Sequence, residues 1–404
     1  MGRFSWPTSL VREVRFSPRS AWWLASATVL VGIVVVVVAL ASGSTAQAVE
    51  PEAGMVTHGA ETLQLKGASG GQGVRFGAVA SVSPVASVPP AGGRIRLGFA
   101  CCNSGLAVLD NPAAQTAIAT ADFDSVTPEN AMKFAETEPN QGQFSWTGAD
   151  KVVNFAAAHT MRVRGHTLVW YLPQEIPGWV NGLSNTQAAA ALKNHIQTLV
   201  TRYQGKVTQW DVVNEALNDD GTLRDSVWRQ KLGNDYVAQA FTWAREADPS
   251  AQLFYNDYGI ESRDLDGNGG TGRAAKSDAA YAMVKDFKAR GIPIDGVGFQ
   301  AHSSGEYPGG GPAIQSNIER FGALGVKVEI TELDVINHGD VASQAARYAA
   351  VGSACRATVY CTGVTTWGLY DGDTWRGAAS APLLLDTTFH QKPAYTALVR
   401  ALGR

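Results

Sequence analysis

The segment TQWDVVNEAL, residues 208–217, is an apolar β-like run that ends on a glutamate. A second segment, VEITELDV at 328–335, has the same form. Glu215 and Glu332 therefore both stand where a strand would pass into its loop, although they are remote in the chain. Outward from these two, short β-rich runs recur near 96–99, 125–128, 162–170, 253–257, 296–301 and 363–367, which with 207–214 and 327–331 makes eight. Helical patterns lie between them, at 187–203, 236–247, 279–290, 314–324 and 343–357. Strands alternating with helices across 94–404 predict an α/β fold, a single (β/α)8 TIM barrel. The alternative is a doubly wound open sheet. It needs a phosphate-type glycine loop after the first strand, and residues 98–105 do not supply one.

A barrel carries its chemistry on the loops at the carboxyl ends of its strands. Polar and aromatic residues collect there: Glu129, Asn130 and Lys133; His166 and Trp170; Asn214 and Glu215; Asn256, Asp257 and Tyr258; Gln300 and His302; Glu332; Trp367. A barrel core has no use for polar residues at one strand end after another. Two carboxylates delivered by two strand ends are what glycoside hydrolysis requires, one holding a proton for the leaving oxygen and one acting on the opposite face of the sugar. On this reading Glu215 is the acid/base, and Asn214 bonds the sugar 2-hydroxyl. Glu332 is the nucleophile, kept ionised by a donor from His302, which Asp334 orients. Asn130 and Lys133 offer donors for sugar hydroxyls, and Trp367 and Trp375 offer apolar platforms for sugar faces.

The rest of the chain sets the context. A charge of −3 over 404 residues gives no reason to expect a nucleic-acid partner. The early basic residues, Arg3, Arg12, Arg15 and Arg19, precede an apolar run at 21–41 and then Ala46-Gln47-Ala48. That is the layout of a secretory signal with an A-x-A cleavage site after Ala48, although the run is long enough to serve as a membrane anchor. Residues 1–48 are thus read as signal or anchor, 49–93 as a poorly ordered linker of low complexity, and 94–404 as the catalytic domain. Either reading puts the bulk of the chain outside the cytoplasm, and four cysteines suit an oxidising compartment. Cys355 and Cys361 are spaced to bridge a helix end to the next strand, a loop worth about 2 kcal/mol in the chain-entropy model. Cys101 and Cys102 are adjacent and are free, bridged to each other, or paired elsewhere. The run Asp264-Leu265-Asp266-Gly267-Asn268-Gly269 imitates half of a calcium loop, but Ala275 stands where the bidentate glutamate belongs, so a plain loop is expected. No metal or cofactor is expected.

The strings ENAMK at 129–133, GHTLVW at 165–170, WDVVNEA at 210–216, NDY at 256–258, VGFQAH at 297–302, ITELD at 330–334 and CTGVTTWG at 361–368 come in barrel order. Together they resemble glycoside hydrolase family 10, the retaining endo-β-1,4-xylanases, over about 94–404. The resemblance implies Glu215 as acid/base and Glu332 as nucleophile. It implies Glu129, Asn130 and Lys133 at the second sugar on the non-reducing side. His166, Trp170, Asn214, Gln300, His302 and Trp367 are implied around the sugar being cleaved, with Trp375 closing over that side. Asn256 and Tyr258 are implied on the leaving-group side, and a Cys355–Cys361 bridge matches a family disulfide. The implied partner is xylan, cut by a monomer. The chain departs from the family pattern after GHTLVW, where His-Ser-Gln is replaced by Tyr171-Leu172-Pro173-Gln174-Glu175. Either the usual Gln contact is lost or Gln174 supplies it from an altered loop. Gly259 replaces an Asn after NDY, and 261–276 looks lengthened. These changes leave two competing readings: a β-1,4-glycosidase with another sugar preference, and a wall-anchored glycan-binding protein without turnover. The intact glutamate pair argues against the second.

Overall fold

The computed structural model describes residues 60–64, 72–76, 94–263, 271–303 and 310–404. The apolar run at 21–41, most of the proposed linker and the 264–269 run lie outside the described residues. The chain divides into two units, 1–85 and 86–404. In the first, Ala60–Gln64 and Gln72–Phe76 pair antiparallel, with Ala60 opposite Phe76. Among the described residues no helix is long and apolar enough to cross a membrane.

The second unit holds eight strands: β1 (Arg96–Cys101), β2 (Ser125–Pro128), β3 (Arg162–Gly165), β4 (Val207–Asn214), β5 (Gln252–Asp257), β6 (Gly296–Phe299), β7 (Lys327–Val335) and β8 (Cys361–Thr366). Each pairs in parallel with its sequence neighbours. β8 returns to β1 through Gly363 opposite Arg96, and this closes the barrel. The strands are almost wholly buried, as expected where helices cover the outer face of a parallel sheet. The expected strand over 162–170 is interrupted, β3 stopping at Gly165 and a two-residue pair, Val169–Trp170, resuming beside β4. The 296–301 run behaves likewise, with His302–Ser303 pairing separately with β7.

The covering helices are α1 (Pro112–Thr120), α2 (Thr147–Ala158), α3 (Asn185–Arg202), α4 (Tyr236–Ala247), α5 (Thr271–Arg290), α6 (Gly310–Gly322), α7 (Val341–Arg356) and α8 (Pro393–Leu402). Their ends are written locally. Ser184 caps α3 in a reciprocal box with Gln187, and Gly403, at φ 74°, closes α8. α5 starts eight residues earlier than its apolar pattern suggested, because Lys276 and Ser277 are buried polar residues of its first turns. Cys355 near the end of α7 and Cys361 at the start of β8 face each other with Cα atoms 5.1 Å apart, within the reach of a disulfide. Cys101 and Cys102 stand side by side at the end of β1, with Cα atoms 3.1 Å apart.

Two strands depart from simple alternation. Against β5, β4 carries an extra residue between Asp211 and Val213. Against β8, β7 carries one between Ile330 and Leu333. Residues three apart would ordinarily face opposite ways, but here they share a face. Gln209 Nε2 donates to Glu329 Oε2 at 2.7 Å, although β4 and β7 are not neighbours, so both side chains point into the barrel. Arg96 also reaches Glu329 (2.6 Å), and Arg164 holds Asp211 with two hydrogen bonds. These buried charges are paired across the interior, the condition on which a protein core tolerates them.

On β3, Gly165 has no alternative residue. A Cβ there would lie 2.2 Å from Cε3 of Trp210, a ring that is itself fully buried. Gly165→Ala is expected to destabilise the barrel by about 1–3 kcal/mol through overpacking. A denaturant titration against the parent chain measures it.

Candidate active site

The strand ends converge on one rim, and a chain of side-chain amides connects the two glutamates. Asn256 Nδ2 donates to Glu332 Oε1 (2.6 Å) and to Asn214 Oδ1 (2.8 Å). Gln300 Nε2 donates to Asn214 Oδ1 (3.2 Å) and to Glu215 Oε1 (3.0 Å). β5 and β7 are not adjacent, nor are β4 and the end of β6, so these bonds cross the mouth of the barrel. The amide orientations follow from the ends of the chain. A carboxylate only accepts, so Asn256 must offer Glu332 its nitrogen; Thr331 Oγ1 confirms this by donating to Asn256 Oδ1 (2.6 Å). Asn214 must then turn its oxygen toward Asn256. The reverse orientation would gain Trp170 Nε1 at 3.2 Å but set two donors against each other.

Glu215 has φ 55°, a left-handed backbone that costs an ordinary residue about 1–2 kcal/mol. Its N–H donates to Asn256 O (2.8 Å), and this bond holds the turn that lifts the side chain off the strand. Glu332 lies inside β7 rather than after it, since the strand continues to Val335.

Behind Glu332 stands His302. Its Nε2 is 3.1 Å from Glu332 Oε2 and its Nδ1 is 2.8 Å from Asp334 Oδ2. Burial disfavours charge on the ring, but the Asp334 carboxylate and the bonds to both acids override it and push the imidazolium pKa up to about 10. Burial likewise works against ionisation of Glu332. The His302 bond, His166 and Asn256 outweigh it and hold that carboxyl below its ordinary value. Asp334 also accepts from Trp375 Nε1 and Arg376 Nε, both at 2.8 Å. Trp375 is thereby tied down at its polar edge while half of its surface stays exposed. Trp367 is largely buried, with its ring edge-on to both His166 and His302. His166 is buried and bonded through Nδ1 to Asp211 Oδ2 (2.9 Å), so one acid of the interior layer supports a residue of the rim.

Two further clusters flank the pair. At the end of β2, Lys133 Nζ donates to Asn130 Oδ1 (2.7 Å), meets Glu175 Oε1 at 3.3 Å and lies 4.8 Å from the centroid of the Trp170 ring. Glu175, not Gln174, therefore comes to this cluster; Gln174 is exposed. Glu129 is buried beside it, with Oε2 lacking a partner among the described residues. Burial and the neighbouring Asp373 push its pKa up to about 8, partly offset by Lys133. On the other flank, Arg224 packs over Tyr171 (4.2 Å) and donates to the Tyr258 hydroxyl (2.7 Å). Buried Lys276 pairs with Asp257 at 2.9 Å. Burial lifts the Asp257 carboxyl to about 7, against the pull of Lys276.

Sequence reasoning brought Glu215, Glu332, Asn214, Gln300, His302 and Asp334 to one place, and the structure unites them. Asn256, implied on the leaving-group side, is the member of the amide chain that bonds Glu332 and Asn214. Glu175, Arg224, Asp373 and Arg376 were missed. Each lies on a loop, where no periodic pattern signals direction. Among the described residues no group of histidine, cysteine and acidic side chains is arranged to hold a metal ion.

Glu129 offers a test of this electrostatics. Its raised folded pKa gives stability that is full below about 4.5 and is lost as pH rises through about 8. Glu129→Gln lacks that titration. The variant should therefore gain stability relative to the parent between pH 5 and pH 9, read from denaturation midpoints across that range.

The model of glycosyl hydrolase family 10 matches residues 90–401. Endo-1,4-beta-xylanase 3 of Hypocrea jecorina is 41% identical over 288 residues, 71% of this chain and 77% of that protein. Among solved structures, native xylanase 10B of Thermotoga maritima is 35% identical with a TM-score of 0.69, covering 77% of this chain and 95% of that one. Xylanase 10B of Thermotoga petrophila, in complex with xylobiose, is 34% identical with a TM-score of 0.69 over 77% and 94%. Agreement of that extent over most of the chain is inheritance rather than convergence, and the chain belongs to glycosyl hydrolase family 10.

Proposed function

We propose that this chain is a retaining endo-β-1,4-xylanase in which Glu332 is the nucleophile and Glu215 the acid/base. The observation that carries this reading is the amide chain Glu332–Asn256–Asn214–Gln300–Glu215, which fixes two carboxyl groups at one mouth with different surroundings. Glu332 is held ionised by the His302 imidazolium, as attack on an anomeric carbon demands. Glu215 is met by the side-chain amides of Asn214 and Gln300 and has no cationic partner among the described residues. In the first step Glu215 protonates the glycosidic oxygen while Glu332 forms the glycosyl ester. In the second, Glu215 takes a proton from water and the ester is hydrolysed, so the anomeric configuration is retained. Asn214 is placed to bond the 2-hydroxyl, and Trp367 and Trp375 to face the sugar ring. Glu129, Asn130 and Lys133 receive the next sugar toward the non-reducing end, while Tyr171, Arg224 and Tyr258 face the leaving group.

The same reading places the enzyme outside the cell. The basic start, the 21–41 apolar run and Ala46-Gln47-Ala48 direct export, either with cleavage after Ala48 or with the run kept as an anchor. A Cys355–Cys361 disulfide suits that compartment. The working unit is a monomer.

Glu332→Gln should lower kcat on xylan by at least about 1,000-fold. Proton NMR of the first products from the parent chain should show the β-anomer before mutarotation; an α-anomer would mean inversion and exclude the nucleophile role. His302→Asn removes the positive charge but keeps a donor. Glu332 then loses its main counterion, and the acid limb of kcat/KM should move up by about one pH unit or more. An unmoved limb would show that His302 does not set the charge of Glu332.

A further inference from the structure

The loop after β3 carries a carboxylate into the non-reducing side of the cleft. Pro173–Glu175 forms a short 3-10 turn, closed by Glu175 N–H to Leu172 O (3.0 Å) and anchored by buried Ile176. Glu175 is therefore positioned rather than free. Its Oε1 meets Lys133 Nζ at 3.3 Å, and Oε2 has no partner among the described residues. The Glu175 side chain is 22% exposed and that of Lys133 9% exposed, so the pair is only partly screened by solvent.

The charges around this point are uneven. Lys133 is the cation of the cluster, and its charge is met by Glu175. Asp373 is buried nearby, held by Ser104 N–H at 2.8 Å. Glu129 keeps its proton to about pH 8 partly because of Asp373, an independent sign that this end of the cleft already resists negative charge. A neutral glutamine at position 175 would leave Lys133 free to attract an anion. A glutamate cancels that attraction and adds an acceptor for sugar hydroxyls.

We propose that Glu175 is a specificity-determining residue: it makes the non-reducing side of the cleft admit neutral xylose, bare or arabinosyl-substituted, and turn away xylose bearing a uronic acid. The inference rests on the xylanase reading above and adds a charge preference to it. The physical basis is repulsion between carboxylates in a partly desolvated cleft where the neighbouring cation, Lys133, is already paired.

The test compares kcat/KM on two xylo-oligosaccharides of equal length. One carries an arabinosyl and the other a uronosyl substituent on the xylose that occupies this side, with unsubstituted xylohexaose as control. The parent chain should favour the neutral substrate. Glu175→Gln should narrow the neutral-to-uronosyl ratio about tenfold, whatever it does to the rate on xylohexaose. Raising salt from about 0.02 to about 0.5 M should narrow the ratio in the parent, and should not narrow it in the variant, where salt screens the attraction of the unpaired Lys133 for the uronate. A ratio within twofold of the parent's in Glu175→Gln overturns the proposal. Should the variant not fold, a salt-insensitive ratio in the parent overturns it equally. If the parent cleaves xylohexaose but the ratio does not move, only this inference fails. If xylohexaose is not cleaved at all, the xylanase reading fails and takes this inference with it.

Discussion

One extra residue beneath each glutamate governs the mouth of this barrel. β4 carries it between Asp211 and Val213, β7 between Ile330 and Leu333. Without it, pleating would send Asp211 and Asn214 to opposite faces, and Glu329 and Glu332 likewise. With it, each strand serves two polar layers. The lower layer, Arg96, Arg164, Gln209, Asp211 and Glu329, locks the interior by two ion pairs and a Gln209–Glu329 hydrogen bond across the barrel. The upper layer, Asn214, Asn256, Gln300 and the two glutamates, does the work at the rim. His166 joins them, since Asp211 holds it from below. Disturbing the lower layer would leave buried charge unpaired, which is costly, so the rim rests on a support that resists adjustment.

The electrostatics of the rim follow from neighbours rather than from residue type. Glu332 and Glu129 are both buried glutamates. Glu332 faces an imidazolium and is held ionised, while burial first and the charge of Asp373 second push the Glu129 pKa up to about 8. Asp334 links these effects to the cleft wall. It holds His302 in place and at the same time fixes the polar edges of Trp375 and Arg376. The residue that orients the counterion of Glu332 is thus also the one that anchors Trp375.

Much of this was legible beforehand. The eight strands fell where short apolar runs suggested, and the strings around Glu215, Gln300 and Glu332 located the rim residues. The misses have physical causes. Asn256 was named from the NDY string, but its bond to Glu332 joins two strands that are not neighbours, so no local pattern could show it. Gln174 was the candidate for the altered loop, yet Glu175 reaches Lys133, because a 3-10 turn rotates successive side chains by about a third of a circle and an apolar pattern of three residues cannot show which one points inward.

The sequence by itself determined the alternation of strands and helices, hence a closed barrel with its chemistry at the strand ends, and it determined which residue types stand there. Local propensity and burial periodicity are enough for that, since each strand reads independently of the others. Only the tertiary structure decided which way those side chains point and what charge they carry. Inward direction depends on bulges defined by registry with a neighbouring strand. Charge depends on partners such as His302 for Glu332 and Asp373 for Glu129, which lie dozens or hundreds of residues away or on loops. Both are properties of pairs brought together by closure, and no single stretch of chain contains them.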